Sequence, residues 1–473
     1  MIEPRRLPER QRAVLRPLAL AISGLVAAFA CRTETPDEHY FDGKHPAAAN
    51  GGRAPSTGGR AGTGASSEPA PSSGGAGGTG SDAQAGSAGS DESTAGDGGI
   101  EPSPPAIDCG PAPVSQGAFT REALRIGAID CAAWQLCQFE NTAIDLDARV
   151  ATYASEPTEV SLERAAAAWK QAMERWSQIE LFQFGPLSSK NESAGKDVYL
   201  GQGLRDAIYG WPSVSRCRVE DQVASQGFAS KGMDGVLTSA RGLYALEYLL
   251  FYPGSDSACA ASSMTATTWA ELGEAELLSY KLGYARALAA DVRERARALS
   301  GIYREGESRE AFVRASGYPN EQESLNVLGW ALVYVEREVK DWKLGVPAGY
   351  TLTHPVSEPE SPYAGSGTDD IRQNLLGFRS LFQGCGAAGE GIGFDDWLIA
   401  VGHAELASDI VRATSDALVA VEAFPPLPSA TKEQVQELYA TIKVLTDFLK
   451  TDLFGDGSPI GLKLPAGIEG DTD

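Results

Sequence analysis

From about residue 114 onward, hydrophobic residues recur every three or four positions, which is the period of an amphipathic α-helix. In the segment 161–184, for example, Trp169, Met173 and Trp176 share one face. The same period predicts further helices over residues 233–252, 264–301, 323–345, 369–384, 394–424 and 431–450. Alternating strand patterns with hairpin turns are missing. The pattern therefore predicts an all-α fold of long helices packed as bundles.

Two long connections interrupt this helical pattern. Residues 185–232 and 346–368 contain several Gly and Pro residues and read as irregular. Loops of this length inside a compact domain are often functional. The two connections are therefore candidates for functional segments.

One acidic residue interrupts the apolar helix 233–252. Glu247 lies in "RGLYALEYLLF" (241–251), three positions after Tyr244. A carboxylate among leucines must reach water, be paired, bind a metal or become neutral. The i,i+3 spacing puts Tyr244 and Glu247 on one face, where two hard oxygen ligands would suit a ferric ion. The alternative is that Tyr244 fills the core and donates a hydrogen bond to Glu247.

Other charged residues also occur within apolar segments of the sequence. They are Glu180 in "WSQIELFQFGP", Arg205 and Asp206 in "GLRDAIYGWP", and Lys340, Asp341 and Lys343 in "REVKDWKLG". Each is a candidate for a site, and each could instead be structural. For Arg205 and Asp206 the alternative is a buried arginine–carboxylate pair that links helices.

The N-terminal quarter predicts export rather than a folded domain. Residues 1–30 combine five arginines with the apolar stretch "LALAISGLVAAFA", as in a secretory signal peptide. Cys31 follows a small residue and predicts a lipidation site that anchors the protein to a membrane; the alternative is an ordinary signal with a chance cysteine. Residues 31–107 are rich in Gly, Ser, Ala and Pro and predict a flexible linker.

Charge and cysteine content fit an exported protein. The net charge is −23, and since residues 1–30 carry five arginines and two glutamates, the remainder has about −26. So acidic a chain disfavours nucleic acid as a partner. Six cysteines remain after Cys31, which predicts up to three disulfides with open pairing. Cys131 and Cys137 would point about 120° apart on one helix, so each is expected to bond elsewhere.

Several enzyme signatures are absent from the sequence. It contains no HExxH, no GxxxxGK phosphate loop and no nucleophile elbow. After the linker only His354 and His403 remain, which leaves little for a Ser–His–Asp arrangement. Composition thus favours binding over catalysis.

The ordered motifs of residues 108–465 resemble the imelysin family, also classed as M75 peptidases. The resemblance rests on "AWKQAMERWSQIELFQFGP", "LRDAIYGWPSVSRCRVEDQV", "RGLYALEYLLF", "LVYVEREVKDWKLGVPAG", "ESPYAGSGTDDIRQNLLGFRSLFQG" and "GFDDWL". It implies two packed helical-bundle halves, divided near residues 260–320. It also implies an exported, lipid-anchored envelope protein linked to iron uptake. The family's GxHxxE motif aligns with Gly242, Tyr244 and Glu247, so tyrosine replaces the histidine.

Together these observations predict a non-enzymatic envelope lipoprotein that binds iron or an iron-uptake partner. Glu247 would be the anionic anchor and Tyr244 a metal ligand, in a cleft where residues 185–232 cover the Glu247 helix. The ligand-binding residues would be Glu180, Arg205, Asp206, Trp211 and Gly242. The alternatives are a metal-dependent peptidase, which needs about three protein ligands, and a structural surface protein in which Glu247 is only ion-paired.

Overall fold

The computed structural model describes residues 104–187, 204–350 and 359–465. The predicted signal peptide, the predicted lipidation site Cys31 and the predicted linker up to residue 103 lie outside these residues. The described α-helices are α1 Arg121–Ser155, α2 Glu159–Ile179, α3 Leu204–Ile208, α4 Arg216–Ser225, α5 Gly227–Lys231, α6 Gly242–Phe251, α7 Met264–Glu271, α8 Glu274–Arg304, α9 Glu307–Val313, α10 Glu321–Trp330, α11 Gly367–Phe382, α12 Phe394–Ala400, α13 Ala404–Glu422 and α14 Lys432–Phe448.

Two further segments have the wider π-helical winding. They are Val335–Gly345, which we call the π-helix, and Leu449–Leu453 directly after α14. Within the described ranges there is no β-strand, only the isolated bridges Tyr209–Gly242 and Phe454–Leu462. The predicted all-α fold is confirmed; the division near 260–320 remains a prediction.

Several predicted helix bounds were wrong. The helix expected over 264–301 is broken between α7 and α8, and the helix over 394–424 is broken between α12 and α13. The connection 185–232 is not wholly irregular, because α3, α4 and α5 lie in it. The longest helix, α1, has no counterpart among the predicted ones. It packs against both α2 and α8, so apolar residues cover more than one of its faces and blur the period.

The packing order of the helices brings distant parts of the chain to one place. α1 packs against α2 and α8, α2 against α11, and α11 against α13, which packs against α14. A single hydrophobic core runs through these helices and includes Trp169, Trp176 and Trp397. α2 contacts both α6 and α11, so it connects the Glu247 helix to α11.

Three disulfides fix this arrangement. They join Cys109 to Cys137, Cys131 to Cys385 and Cys217 to Cys259. The prediction that Cys131 and Cys137 bond elsewhere is confirmed. Among the described helices, none is long and apolar enough to cross a membrane.

Candidate functional site

The start of α6 is held against the segment that follows α3. Gly242 has a φ of +78° and pairs with Tyr209 in an antiparallel bridge. A side chain at Gly242 would collide with the carbonyl oxygen of Ile208. Trp169 in α2 donates a hydrogen bond from Nε1 to the carbonyl of Leu243 at 2.8 Å. Glycine at this position therefore allows the backbone of α6 to approach the backbone that follows α3 closely.

The carboxylate of Glu247 is completely buried and is held by backbone amides. Its Oε1 accepts hydrogen bonds from the N–H groups of Tyr363 at 2.9 Å and Ala364 at 2.8 Å. Both donors belong to residues 359–366, which we call the strap. Hydrogen bonds to an ionised acceptor are among the stronger ones in proteins. The out-of-place acid of α6 is therefore solvated by backbone groups from the second long connection.

The strap is a tight turn with a second contact to α6. Ser361 has a φ of +49°, and the N–H of Gly365 donates to the Ser361 carbonyl at 2.9 Å. The ring of Tyr363 lies 5.5 Å from the ring of Tyr248 and 5.5 Å from that of Tyr252. The strap thus lies on the Glu247 helix through both its backbone and an aromatic side chain.

Lys343 of the π-helix lies at the centre of a buried polar cluster. Its Nζ is 3.1 Å from Glu180 Oε2 and 2.8 Å from Glu360 Oε1, and it donates to Asn374 Oδ1 at 2.7 Å. Burial alone would lower the pKa of Lys343, but Glu180 and Glu360 outweigh it and raise the pKa above its ordinary value. Tyr209 donates its hydroxyl to Glu360 Oε1 at 3.0 Å.

Arg205 joins the same cluster from α3. Its guanidinium lies 3.3 Å from Glu180 Oε1 and 3.1 Å from Asp206 Oδ1, and it donates to the carbonyl of Trp211 at 3.5 Å. Burial would raise the pKa of Glu180, yet Lys343 and Arg205 hold it below its ordinary value. The buried arginine–carboxylate pair foreseen as an alternative is present, with Glu180 as its buried partner. The side chain of Asp206 is 47% exposed.

Glu360 and Asp370 are the acids that the strap and the start of α11 contribute to the cluster. Ser361 donates its hydroxyl to Asp370 Oδ2 at 2.6 Å. Glu360 Oε2 and Asp370 Oδ1 are buried and accept no hydrogen bond from the described residues. Burial, together with the negative charge of Glu360, raises the pKa of Asp370 well above its usual range. Burial and the charge of Glu180 likewise raise the pKa of Glu360, against the effect of Lys343.

The cluster holds more acids than bases. Four buried carboxyl groups, from Glu180, Glu247, Glu360 and Asp370, accompany two buried cations, Arg205 and Lys343. Such an excess must be neutralised by protons or by an incoming cation, because isolated charges are costly in the interior. In the part of the chain that the structure describes, no group of three or more His, Cys, Asp or Glu side chains is arranged to hold a metal ion. The cluster is not a ready-made metal centre.

The predicted site residues are partly brought together. Glu180, Arg205 and Trp211 meet in the cluster, and Gly242 supports the start of α6. Tyr244 is buried, with 6% exposure, and belongs to the hydrophobic core. Its role and that of Glu247 as metal ligands stay predictions.

Sequence reasoning missed Tyr209, Glu360, Asp370 and Asn374. A usable signal existed, because both acids stand in "ESPYAGSGTDDIRQN", which begins inside the long connection 346–368. The residues expected to cover Glu247 were those of 185–232. Its observed hydrogen-bond donors come instead from the other connection.

The fold and site define an all-helical protein with a buried acidic cluster where α2, α6, α11 and the π-helix meet. The imelysin family model, of the M75 peptidase class, matches residues 135–449. The chain belongs to the imelysin family.

Two solved structures share the fold. A crystal structure of an imelysin-like protein from Psychrobacter arcticum covers 71% of this chain and 96% of its own, with a TM-score of 0.53 and 15% identity. A crystal structure from Parabacteroides distasonis, assigned as an iron-regulated protein A precursor, covers 71% of this chain and 95% of its own. Its TM-score is 0.53 and its sequence identity is 17%. At these identities the likeness shows the fold alone.

One curated relative matches over a shorter stretch. Iron-regulated protein A of Synechococcus elongatus is 31% identical over 109 residues, which is 23% of this chain and 25% of the relative. The match thus spans about a quarter of that relative's length.

Proposed function

We propose that the protein is an imelysin-family lipoprotein of the cell envelope that binds iron as transient cargo, without catalysis. The observation that carries this proposal is the buried excess of carboxylates around Lys343. Glu360 Oε2 and Asp370 Oδ1 are buried oxygens without a hydrogen-bond donor among the described residues. A hard cation would supply the positive charge that the cluster lacks.

The donor set suits an exchangeable cation rather than a resident cofactor. Two carboxylate oxygens leave most coordination positions of a hard cation to water. A catalytic metal centre normally has about three protein ligands, and the described residues offer no such group. The iron connection of the proposal comes from relatives that are named iron-regulated. The envelope location and the lipid anchor rest on residues 1–31 of the sequence.

A titration tests this function directly. The purified protein is titrated with Fe²⁺ under anaerobic conditions, and separately with ferric citrate, by calorimetry in buffers of different ionisation enthalpy. We expect about one equivalent to bind with release of protons, because the raised pKa values of Glu360 and Asp370 mean that a cation displaces protons there. Affinity should fall as the pH falls through these raised pKa values.

Matched variants locate the binding. Asp370→Asn should weaken iron binding at least about tenfold, because one charged oxygen ligand is lost. Glu336→Gln is the control, since Glu336 is equally buried but lies in another network, beside Lys340 and Lys450. No binding by the unmodified protein in either titration would contradict the proposal.

A further inference from the structure

We infer that Glu247 is a positioning residue, which holds the strap in place so that Glu360 and Asp370 can receive the cargo. This assignment rests on the proposed function and departs from the expectation that Glu247 itself is the metal anchor. The geometry behind it is the pair of hydrogen bonds from Tyr363 and Ala364 to one carboxylate oxygen.

The strap provides a binding place for an anion, and Glu247 fills it. Tyr363 and Ala364 are consecutive residues, and both of their N–H groups point at Glu247 Oε1. The turn that aims them includes Ser361 in the left-handed region. Successive N–H groups in such turns form concavities that bind anions. Here the anion is supplied by the protein's own α6.

The strap in turn sets the surroundings of both unsatisfied acids. Glu360 is its second residue and reaches Lys343 and Tyr209. The hydroxyl of Ser361, the next residue, donates to Asp370. Because Glu360 and Ser361 both lie on this short segment, a displaced strap would move the Glu360 carboxylate and withdraw the Ser361 hydroxyl from Asp370. Glu247 therefore acts on the cargo site through the backbone.

A comparison of Glu247→Gln with Glu247→Ala tests the role. Glutamine keeps an oxygen that can accept from Tyr363 and Ala364, whereas alanine removes it. The measurements are hydrogen exchange at these two amides and Fe²⁺ affinity under anaerobic conditions. In Glu247→Ala we expect the two amides to exchange roughly 10- to 100-fold faster, as two charge-assisted hydrogen bonds are lost. Added formate, a small carboxylate, should restore part of the protection.

The affinity data decide between a positioning residue and a ligand. If Glu247 positions the strap, Fe²⁺ affinity should change in parallel with amide protection. In Glu247→Gln, where the two amides stay protected, the affinity should remain within about threefold of that of the unmodified protein. In Glu247→Ala, the affinity should recover when formate restores the protection. Loss of affinity in Glu247→Gln at least as large as in Asp370→Asn, while both amides stay protected, would overturn the inference. Where Glu247→Ala fails to fold, Glu247→Gln carries the test.

The experiment separates this inference from the proposed function. Amide exchange at Tyr363 and Ala364 is measured without iron, so it reports the hold on the strap even in a protein that binds none. Failure of the unmodified protein to bind Fe²⁺ would contradict the proposed function. Unchanged amide exchange in Glu247→Ala would contradict the inference that Glu247 holds the strap.

Discussion

The π-helix carries one buried lysine into each of two charged networks, and the two networks differ in charge balance. Lys340 lies 3.2 Å from Glu336 and 3.0 Å from Asp341, and Lys450 lies 2.7 Å from Glu336. This network pairs two acids with two lysines. Among the residues that the structure describes, the network of Lys343 contains four buried acids and one further buried cation, Arg205.

The difference shows that burial alone does not mark a site. Lys340 and Lys343 are both completely buried and stand three positions apart on one helix. Buried ion pairs with balanced charge are a common structural feature, and they add little net stability relative to apolar residues. A buried excess of one sign is costly in an empty protein, and that cost is relieved only by protons or a ligand. The charge balance is therefore the reason why the proposed cargo site is placed in the Lys343 network and not in the Lys340 network.

The largest expected effect is on stability when the central lysine is removed. Lys343→Met should lower the free energy of unfolding by about 3–5 kcal/mol, because Glu360 loses the buried cation beside it and Glu180 loses one of its two, Arg205 being the other. Lys340→Met should cost less, about 1–3 kcal/mol, since Glu336 keeps Lys450. Urea unfolding followed by tryptophan fluorescence measures both. Equal losses would mean that the two networks are equivalent.

A smaller effect, of opposite sign in the two networks, is expected when one acid is neutralised. Asp370→Asn should raise the free energy of unfolding by about 1–2 kcal/mol at pH 8 without iron, because it removes an acid whose pKa is raised by burial and by Glu360. Glu336→Gln should lower it by a similar amount, because two lysines lose a partner.

The pH dependence of this effect has a defined sign. A carboxyl group with a raised pKa in the folded state is penalised above that pKa, and the penalty disappears as the pH falls to the unfolded value of about 4. The stabilisation by Asp370→Asn should therefore shrink between pH 8 and pH 5. A stabilisation that stays constant over this range would contradict the raised pKa of Asp370.

The smallest effect concerns one hydroxyl in each network. Tyr209→Phe removes the donor to Glu360 and should cost about 1 kcal/mol, since this side chain is fully buried. Tyr439→Phe removes the hydroxyl 3.3 Å from Lys340 and should cost about 0.5 kcal/mol, because Lys340 keeps two carboxylates. Chemical unfolding of both variants against the unmodified protein gives the ranking.

The helical fold was predictable because the hydrophobic period is a local property of the sequence. The breaks at Leu272–Gly273 and before His403 were missed although a glycine stands at each, Gly273 as the N-cap of α8 and Gly402 with a φ of +91°. The hydrophobic period alone does not register such a break. α1 was missed for the related reason that its two packed faces hide the period.

The sequence indicated which charged residues are unusual for their surroundings, but not which groups they pair with. Glu180, Arg205, Glu247 and Lys343 stand out in the sequence, since charged groups are rare in apolar segments. The partners of Glu247 could not be read from its surroundings, because backbone N–H groups have no sequence signature. Glu360 and Asp370 lie in a polar stretch that begins in the connection 346–368. That position was a signal for a site, but only the fold shows that both acids are buried.

The disulfide between Cys131 and Cys385 encloses the whole candidate site in one covalent ring, with a sequence separation of 254. Glu180, Glu247 and Asp370 all fall between these two cysteines. A protease that cuts the chain once anywhere between them would leave two fragments that remain joined. In an extracytoplasmic environment the site could thus survive a nick that would separate the halves of an unbridged protein.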